Sequence, residues 1–138
     1  MGVVMDTHKY NDFLVSGDTL WVYGGNELLF RSTREGLLPL LDYNKRSATG
    51  SAGTTVFDRV VGNAAALLLI RANCSEVFSP LGSKLAASTL DSYAVEYHFT
   101  EVVPYIRDHD GHDMCPMEKL SLNKSPGEFY EVMLSLNS

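Results

Sequence analysis

The most apolar stretch of the sequence lies near its middle and leaves no polar stripe to face water. Across residues 60–70 only Gly62 and Asn63 are not clearly apolar. A helix that is apolar on every side is normally buried among other elements. The stretch is also shorter than the roughly 20 residues that a bilayer requires. The pattern therefore predicts that residues 57–71 contain the buried central helix of the fold.

Gly62 breaks the apolar pattern near the start of this stretch. In a helix, glycine costs about 1 kcal/mol relative to alanine. We therefore expect another element to approach the backbone closely at Gly62.

The first third of the chain shows patterns typical of a helix, a hairpin and a second helix. Two β-rich runs are joined by Gly24-Gly25-Asn26, and glycines favour the positive φ angles of hairpin turns. The predicted elements are a helix over residues 6–15, strands over 19–23 and 27–31, a helix over 35–43, and a mobile loop rich in Gly, Ser and Ala over 44–53.

The second half continues the alternation of strands and helices. Pro80 is expected to end a short strand, and Ser125-Pro126 has the composition of a helix start, with Glu128 completing a capping box. The predicted elements are strands over residues 75–79 and 95–100 and helices over 83–90, from 115 onward and from 125 onward. This order predicts a single α/β domain over residues 1–138, with a mixed sheet between two helix layers.

Composition excludes several classes of function. The net charge of −6 argues against a nucleic-acid partner, because phosphate binding needs clustered Lys and Arg. The N-terminus has neither the basic start nor the apolar run of a signal peptide, and no segment predicts a membrane span. With only two cysteines, in unlike contexts, the chain is expected to be a reduced cytoplasmic protein.

Three motifs occur in order along the chain: DRVVGNAAA at residues 58–66, VPYIR at residues 103–107 and CPME at residues 115–118. Together they resemble the motifs of a small uncharacterised prokaryotic family with a cytidine-deaminase-like fold. The resemblance implies a three-layer αβα domain of that fold. It implies no activity, because the family is a domain of unknown function.

The wider resemblance to zinc deaminases can be tested at the positions of the metal ligands. Those enzymes need His (or Cys)-Ala-Glu at the start of the central helix and Pro-Cys-x-x-Cys at the next helix. Aligned by the helices, Asn63 replaces the histidine, Ala65 the glutamate, and Leu81 and Lys84 the two thiolates. An amide, a leucine and an ammonium are not zinc ligands. We therefore expect no metal at this pocket, no cofactor and no zinc-dependent deamination.

Asp58, Asn63 and Arg107 are the candidate ligand-binding residues. Asp58 is expected at the N-terminus of the central helix, where a carboxylate either caps the helix or contacts a ligand. Asn63 would lie one turn further on. Its amide either contacts a polar ligand or is buried and hydrogen-bonded within the protein. Arg107 belongs to the second of the shared motifs.

Cys115 and Glu118 are the candidate catalytic residues. A helix N-terminus stabilises a thiolate, whereas the surrounding carboxylates oppose it. The alternative is a capping or packing cysteine, with Glu118 completing the cap of its own helix. The loop over residues 108–113, with His109 and His112, either binds a metal or is a solvated acidic loop.

The sequence does not decide between three functions. The first is binding of a small polar or nucleotide-like molecule at the N-termini of the central helices. The second is an enzyme that uses Cys115, and the third is a structural or regulatory subunit. A homodimer is also predicted, through residues 125–136 or through the hairpin around Trp21.

Overall fold

The structure, a computed structural model, describes residues 6–46, 53–108 and 110–137. This part of the chain forms six helices and six strands. They are α1 (Asp6–Ser16), β1 (Leu20–Gly24), β2 (Glu27–Ser32), α2 (Leu38–Arg46), β3 (Thr54–Asp58), β4 (Val60–Val61), α3 (Asn63–Arg71), β5 (Cys74–Ser83), α4 (Lys84–Ser92), β6 (Glu96–Val103), α5 (Pro116–Ser121) and α6 (Pro126–Leu136).

The strands form one mixed sheet in which β5 is central. β1 lies antiparallel between β2 and β3, whereas β5 runs parallel to β3, β4 and β6. β3 and β4 pair with successive parts of the same side of β5, and β6 pairs with its other side. The α/β class and the mixed sheet predicted from the sequence are confirmed.

The two faces of the sheet are covered by different elements. Successive strand residues point to opposite faces, and β3 shows this alternation at Val56 and Phe57. Val56 belongs to the main core together with the leucines of α3. The ring of Phe57 instead lies 5.9 Å from those of Tyr10 and Phe13, both on α1. Helix α1 therefore covers one face with an aromatic cluster, and α3 covers the other.

Helix α3 is buried as predicted, but it is shorter than the stretch that predicts it. Residues 63–69 are all buried, and α3 contacts α2, α4, α5 and α6. The helix begins only at Asn63, because the β-branched residues before it extend the sheet as β3 and β4. No helix in the described part of the chain is long and apolar enough to span a membrane.

Other local predictions have mixed outcomes. The hairpin of β1 and β2 and the capping box of Ser125 and Glu128 are confirmed. The prediction that Pro80 ends its strand is wrong, since β5 continues to Ser83. Pro80 has no pairing partner on either side: it lies opposite the break between β3 and β4, and the register with β6 passes from Ser79 to Leu81. Of the predicted mobile loop, residues 47–52 lie outside the described residues.

The expected close approach at Gly62 is confirmed. A Cβ atom added there would lie 2.5 Å from Oε1 of Glu118 and 2.7 Å from Cγ1 of Ile106. Both distances are shorter than a van der Waals contact allows, so residue 62 must lack a side chain for the carboxylate of α5 to reach α3.

We predict that Gly62→Ala lowers the free energy of unfolding by about 2–3 kcal/mol, because the added methyl group displaces Glu118. Urea denaturation measures this loss. Gly127→Ala is the matched control, since a Cβ there meets nothing within 4 Å. It should leave stability unchanged or raise it by up to about 1 kcal/mol. Equal effects of the two substitutions would contradict the prediction.

Candidate functional site

A cleft of about 360 Å³ opens where the end of β3 and the start of α3 face α5 and the segment before α2. Most of its wall is apolar, formed by Leu37, Val60, Ala64, Ala65, Ile106 and Met117. The polar residues that line it are Thr19, Glu35, Asp58, Arg59, Cys115 and Glu118. The cleft therefore combines an apolar interior with a small number of polar groups, three of them acidic.

The carboxylate of Glu118 caps helix α3 from another helix. Its side chain is buried, and Oε1 accepts hydrogen bonds from the backbone N–H groups of Asn63 at 2.6 Å and Ala64 at 3.4 Å. Oε2 accepts from the N–H of Ile106 at 3.1 Å. Gly62, at the N-cap position of α3, has no side chain to accept these bonds. Glu118 therefore satisfies N–H groups that would otherwise be unpaired at a buried helix end.

This cap corrects the prediction that Glu118 closes the cap of its own helix. The N–H of Cys115, at the N-cap position of α5, donates instead to the carbonyl oxygen of Ile106 at 2.8 Å. Because the Glu118 oxygens already accept three N–H groups, any catalytic role for this carboxylate would have to compete with the cap.

Asp58 lies at the end of β3, so its predicted position at the start of the central helix is wrong. Strand β4 and Gly62 separate it from α3. Its Oδ1 accepts a hydrogen bond from the N–H of Arg59 at 2.8 Å. Burial raises the pKa of the Asp58 carboxyl to about 7, against the opposing effects of the Arg59 and Val60 N–H groups and the Arg59 charge. Asp58 therefore changes its charge near neutral pH.

The guanidinium of Arg59 binds the end of helix α1 and makes no ion pair with Asp58. It donates to the carbonyl oxygens of Phe13 at 2.9 Å, Leu14 at 3.1 Å and Asp18 at 2.9 Å. It also lies 4.4 Å from the centre of the Phe13 ring. Among the ion pairs of the described chain, none joins Arg59 to Asp58. Arg59 therefore caps the end of α1 and leaves the neighbouring carboxyl without a direct cationic partner.

Asn63 connects three helices through its buried side chain. Its Nδ2 donates to Oγ of Ser121 at 2.9 Å, and its Oδ1 accepts a hydrogen bond from Oγ1 of Thr89. These contacts join α3 to α5 and α4, and the side chain is not part of the cleft wall. These contacts satisfy the buried amide, as expected if Asn63 has a structural role and does not contact a ligand. A ligand role for Asn63 stays a prediction and would require these bonds to open.

The other candidate residues fall into two places. Cys115 is half-buried, forms no disulfide and lines the cleft together with Asp58. Arg107 is exposed outside the cleft wall, and its Nη1 donates to the carbonyl oxygen of Gly111 at 3.2 Å. His109 lies outside the described residues. Within the described ranges, no three His, Cys, Asp or Glu side chains come together as a possible metal site.

Sequence reasoning missed the opposite walls of the cleft. Leu37 precedes α2, and Ile106 follows β6, so both are distant from Asp58 along the chain. Two sequence signals pointed here: the motifs at residues 103–107 and 115–118, which contain Ile106 and Glu118, and Gly62, whose missing side chain indicated a close approach. Neither signal identified Ile106 and Glu118 as the partners of Gly62.

Comparisons with known proteins identify relatives of the whole chain. The family profile described as TM1506, domain of unknown function (DUF1893), matches residues 10–135. The crystal structure of a DUF1893 family protein (TM1506) from Thermotoga maritima is similar, with a TM-score of 0.88 and 28% sequence identity. That match covers 99% of this chain and 92% of the other. Comparison with curated proteins gives no match.

We predict that the free energy of unfolding falls as the pH rises from 5 to 8, because of Asp58. Its pKa of about 7 in the folded state exceeds the ordinary value of 3.8, so the folded state binds the proton more tightly. Such a group stabilises the protein at low pH and loses that contribution as the pH passes 7. One pKa unit corresponds to about 1.4 kcal/mol, and partial exposure reduces the effect to about 1–3 kcal/mol.

The measurement is urea denaturation at pH 5 and pH 8 for the wild type and for Asp58→Asn. The pKa values of Asp113 and Glu128 are lowered by their hydrogen-bond partners, so these carboxyls titrate below this window. The variant should therefore lose most of the pH dependence. If the free energy of unfolding falls equally in the wild type and in Asp58→Asn between pH 5 and pH 8, Asp58 is not the source of the pH dependence.

Proposed function

Since the chain belongs to the DUF1893 family, a domain of unknown function, we propose its role from the geometry of the cleft: it binds a small molecule beside Asp58. The observation that carries the proposal is the Asp58 carboxyl, which lies in an apolar cleft without a direct cationic partner. This carboxyl is half-buried, and an ionised carboxylate in apolar surroundings is costly unless an opposite charge accompanies it. A bound molecule would supply that partner.

The size and lining of the cleft support this proposal. Small-molecule sites enclose about 300–1,000 Å³ and combine apolar walls with a few polar groups that orient the ligand. The cleft has a volume of about 360 Å³, within that range. Leu37, Ile106 and Met117 supply apolar surface, and Asp58 supplies the polar anchor.

The cap on α3 restricts what this ligand is. A helix N-terminus ordinarily attracts phosphate through its free N–H groups. Here Glu118 accepts the N–H groups of Asn63 and Ala64, and its negative charge repels a second anion. If the ligand is nucleotide-like, only its base or nucleoside part therefore binds in the cleft, and any phosphate group lies outside.

We further infer the cytidine-deaminase-like arrangement that the sequence motifs imply. Helix α3 begins at Asn63 and α4 at Lys84, the positions aligned with zinc ligands in the deaminases. The side chains at Asn63, Leu81 and Lys84 do not form a zinc site. Of the positions aligned with the zinc ligands and the glutamate, only Ala65 lines the cleft, so the proposed binding function lies beside the positions of the zinc ligands and involves no zinc chemistry.

A cysteine-dependent enzyme is the second candidate, because Cys115 lines the same cleft as Asp58. A ligand held at Asp58 would lie beside this thiol. Cys74 has no such role, since it is buried and burial raises the pKa of its thiol to about 12.

The predicted homodimer also stays a proposal. Leu136 of α6 and Leu28 of the hairpin are among the large apolar side chains that remain exposed, at 59% and 40%. They belong to the two surfaces that the sequence suggested. The third function, a structural or regulatory subunit, applies if the cleft binds nothing.

We predict that small aromatic and aliphatic fragments bind in the cleft and that Val60→Trp abolishes their binding. Val60 lines the cleft and is 41% exposed, so a larger side chain fills the opening without disturbing the core. Val102→Trp is the matched control, because Val102 is another exposed strand valine, 49% exposed and outside the cleft wall.

The readout is the movement of backbone amide NMR signals during titration with a fragment library. Signals of Val60, Ala64 and Ile106 should move in the wild type and in Val102→Trp, but not in Val60→Trp. Cys115→Ser should bind the same fragments if the protein is a binding module. Absence of any shift around the cleft would favour the structural or regulatory role instead.

A further inference from the structure

We infer that the ligand of the cleft is an organic cation, with an amine or amidine group held by the Asp58 carboxylate and an apolar or planar body against the cleft wall. This inference rests on the proposed function and adds the charge of the ligand to it. The evidence for a cationic ligand is the distribution of charged side chains around the cleft.

Three of the four charged residues that line the cleft are acidic. Glu35, before α2, Asp58, at the end of β3, and Glu118, on α5, all line it. Arg59 is the one basic residue among the lining residues of the described chain, and its guanidinium is bound to three carbonyl oxygens near the end of α1. The remaining titratable group in the wall is the thiol of Cys115. Carboxyl groups from three separate segments therefore line the cleft, and its one cation is held by backbone carbonyl oxygens.

Asp58 is the carboxyl best placed to hold a cation. Glu35 is exposed to solvent, which weakens any ion pair it forms. Glu118 is occupied by the N–H groups of Asn63, Ala64 and Ile106. Asp58 accepts backbone N–H groups but has no cationic partner, and hydrogen bonds between two charged groups are about twice as strong as neutral ones.

The protonation of Asp58 is consistent with a cationic ligand. Burial raises the pKa of this carboxyl to about 7. At neutral pH and with the cleft empty, a large share of the protein molecules therefore carry a proton on Asp58. An amine or amidine would displace that proton and form an ion pair in surroundings of low polarity. An anion would meet repulsion at every pH above neutrality.

A metal ion fits the cleft less well than an organic cation. Divalent ions such as Mg²⁺ and Ca²⁺ require several oxygen ligands. In the described chain no three acidic, histidine or cysteine side chains are placed to hold one. The Glu118 oxygens would also have to leave the N–H groups of α3. The apolar wall instead favours a cation with a hydrocarbon or aromatic body.

The test compares three probes of nearly equal shape: benzamidine, a cation; benzamide, which is neutral; and benzoate, an anion. Each is titrated at pH 8 while the amide signals of Val60, Ala64 and Ile106 are followed by NMR. Benzamidine should bind at least tenfold more tightly than benzamide, and benzoate should not bind. Benzamidine affinity should also rise from pH 6 to pH 8 as Asp58 loses its proton.

Two variants identify the carboxylate responsible. Asp58→Asn should reduce benzamidine binding to the level of benzamide and leave benzamide binding unchanged. Glu128→Gln removes one negative charge from the exposed start of α6 and controls for net charge, so it should keep the preference for benzamidine.

The outcomes separate this inference from the proposed function. If benzamide binds the cleft as tightly as benzamidine, the cleft is a binding site but its ligand is not a cation. If Asp58→Asn keeps the tenfold preference, another group holds the cation and the inference is overturned. If none of the probes moves the cleft signals, the cation inference fails, and the fragment library then decides whether the proposed binding function fails as well.

Discussion

The fold around the cleft depends on one buried carboxylate, that of Glu118. The first N–H groups of any helix lack partners within the helix, and those of α3 lie in the core, where water cannot replace them. Glu118 accepts two of these groups and the N–H of Ile106, and its charge suits the positive end of the α3 dipole. The same contact requires glycine at position 62 and fixes both α5 and the segment after β6 against the central helix.

This cap also determines the chemistry available to the cleft. With the N-terminus of α3 already bound to a carboxylate, the site cannot use the helix to hold a phosphate group. Arg59, the nearest cation in sequence, stabilises the end of α1 instead. Asp58 is thereby left as an acidic anchor among apolar side chains. Two structural requirements, capping α3 and capping α1, together produce an acidic cleft that suits a cationic ligand.

The sequence predicted local features well because short-range physics determines them. The buried character of α3, the hairpin after α1 and the capping box at Ser125 all follow from patterns within a dozen residues. Gly62 even revealed a close contact. The partner of that contact was not predictable, since Glu118 lies far along the chain and its spacing from Cys115 equally suits a cap of its own helix. Asp58 was misplaced because the short strand β4 looks like part of a continuous apolar helix.

Replacing Glu118 and Glu128 separately with glutamine tests the role of the buried cap most directly. Both residues cap helices, but Glu118 is buried and reaches another helix, whereas Glu128 is exposed and caps its own. Glu118→Gln leaves the N–H groups without a charged acceptor and places an amide donor among them, so it should cost about 2–4 kcal/mol. It should also accelerate hydrogen exchange at Asn63, Ala64 and Ile106. Glu128→Gln should cost no more than about 1 kcal/mol. If both variants lose the same small amount of unfolding free energy, and hydrogen exchange at the start of α3 does not change, the account is contradicted.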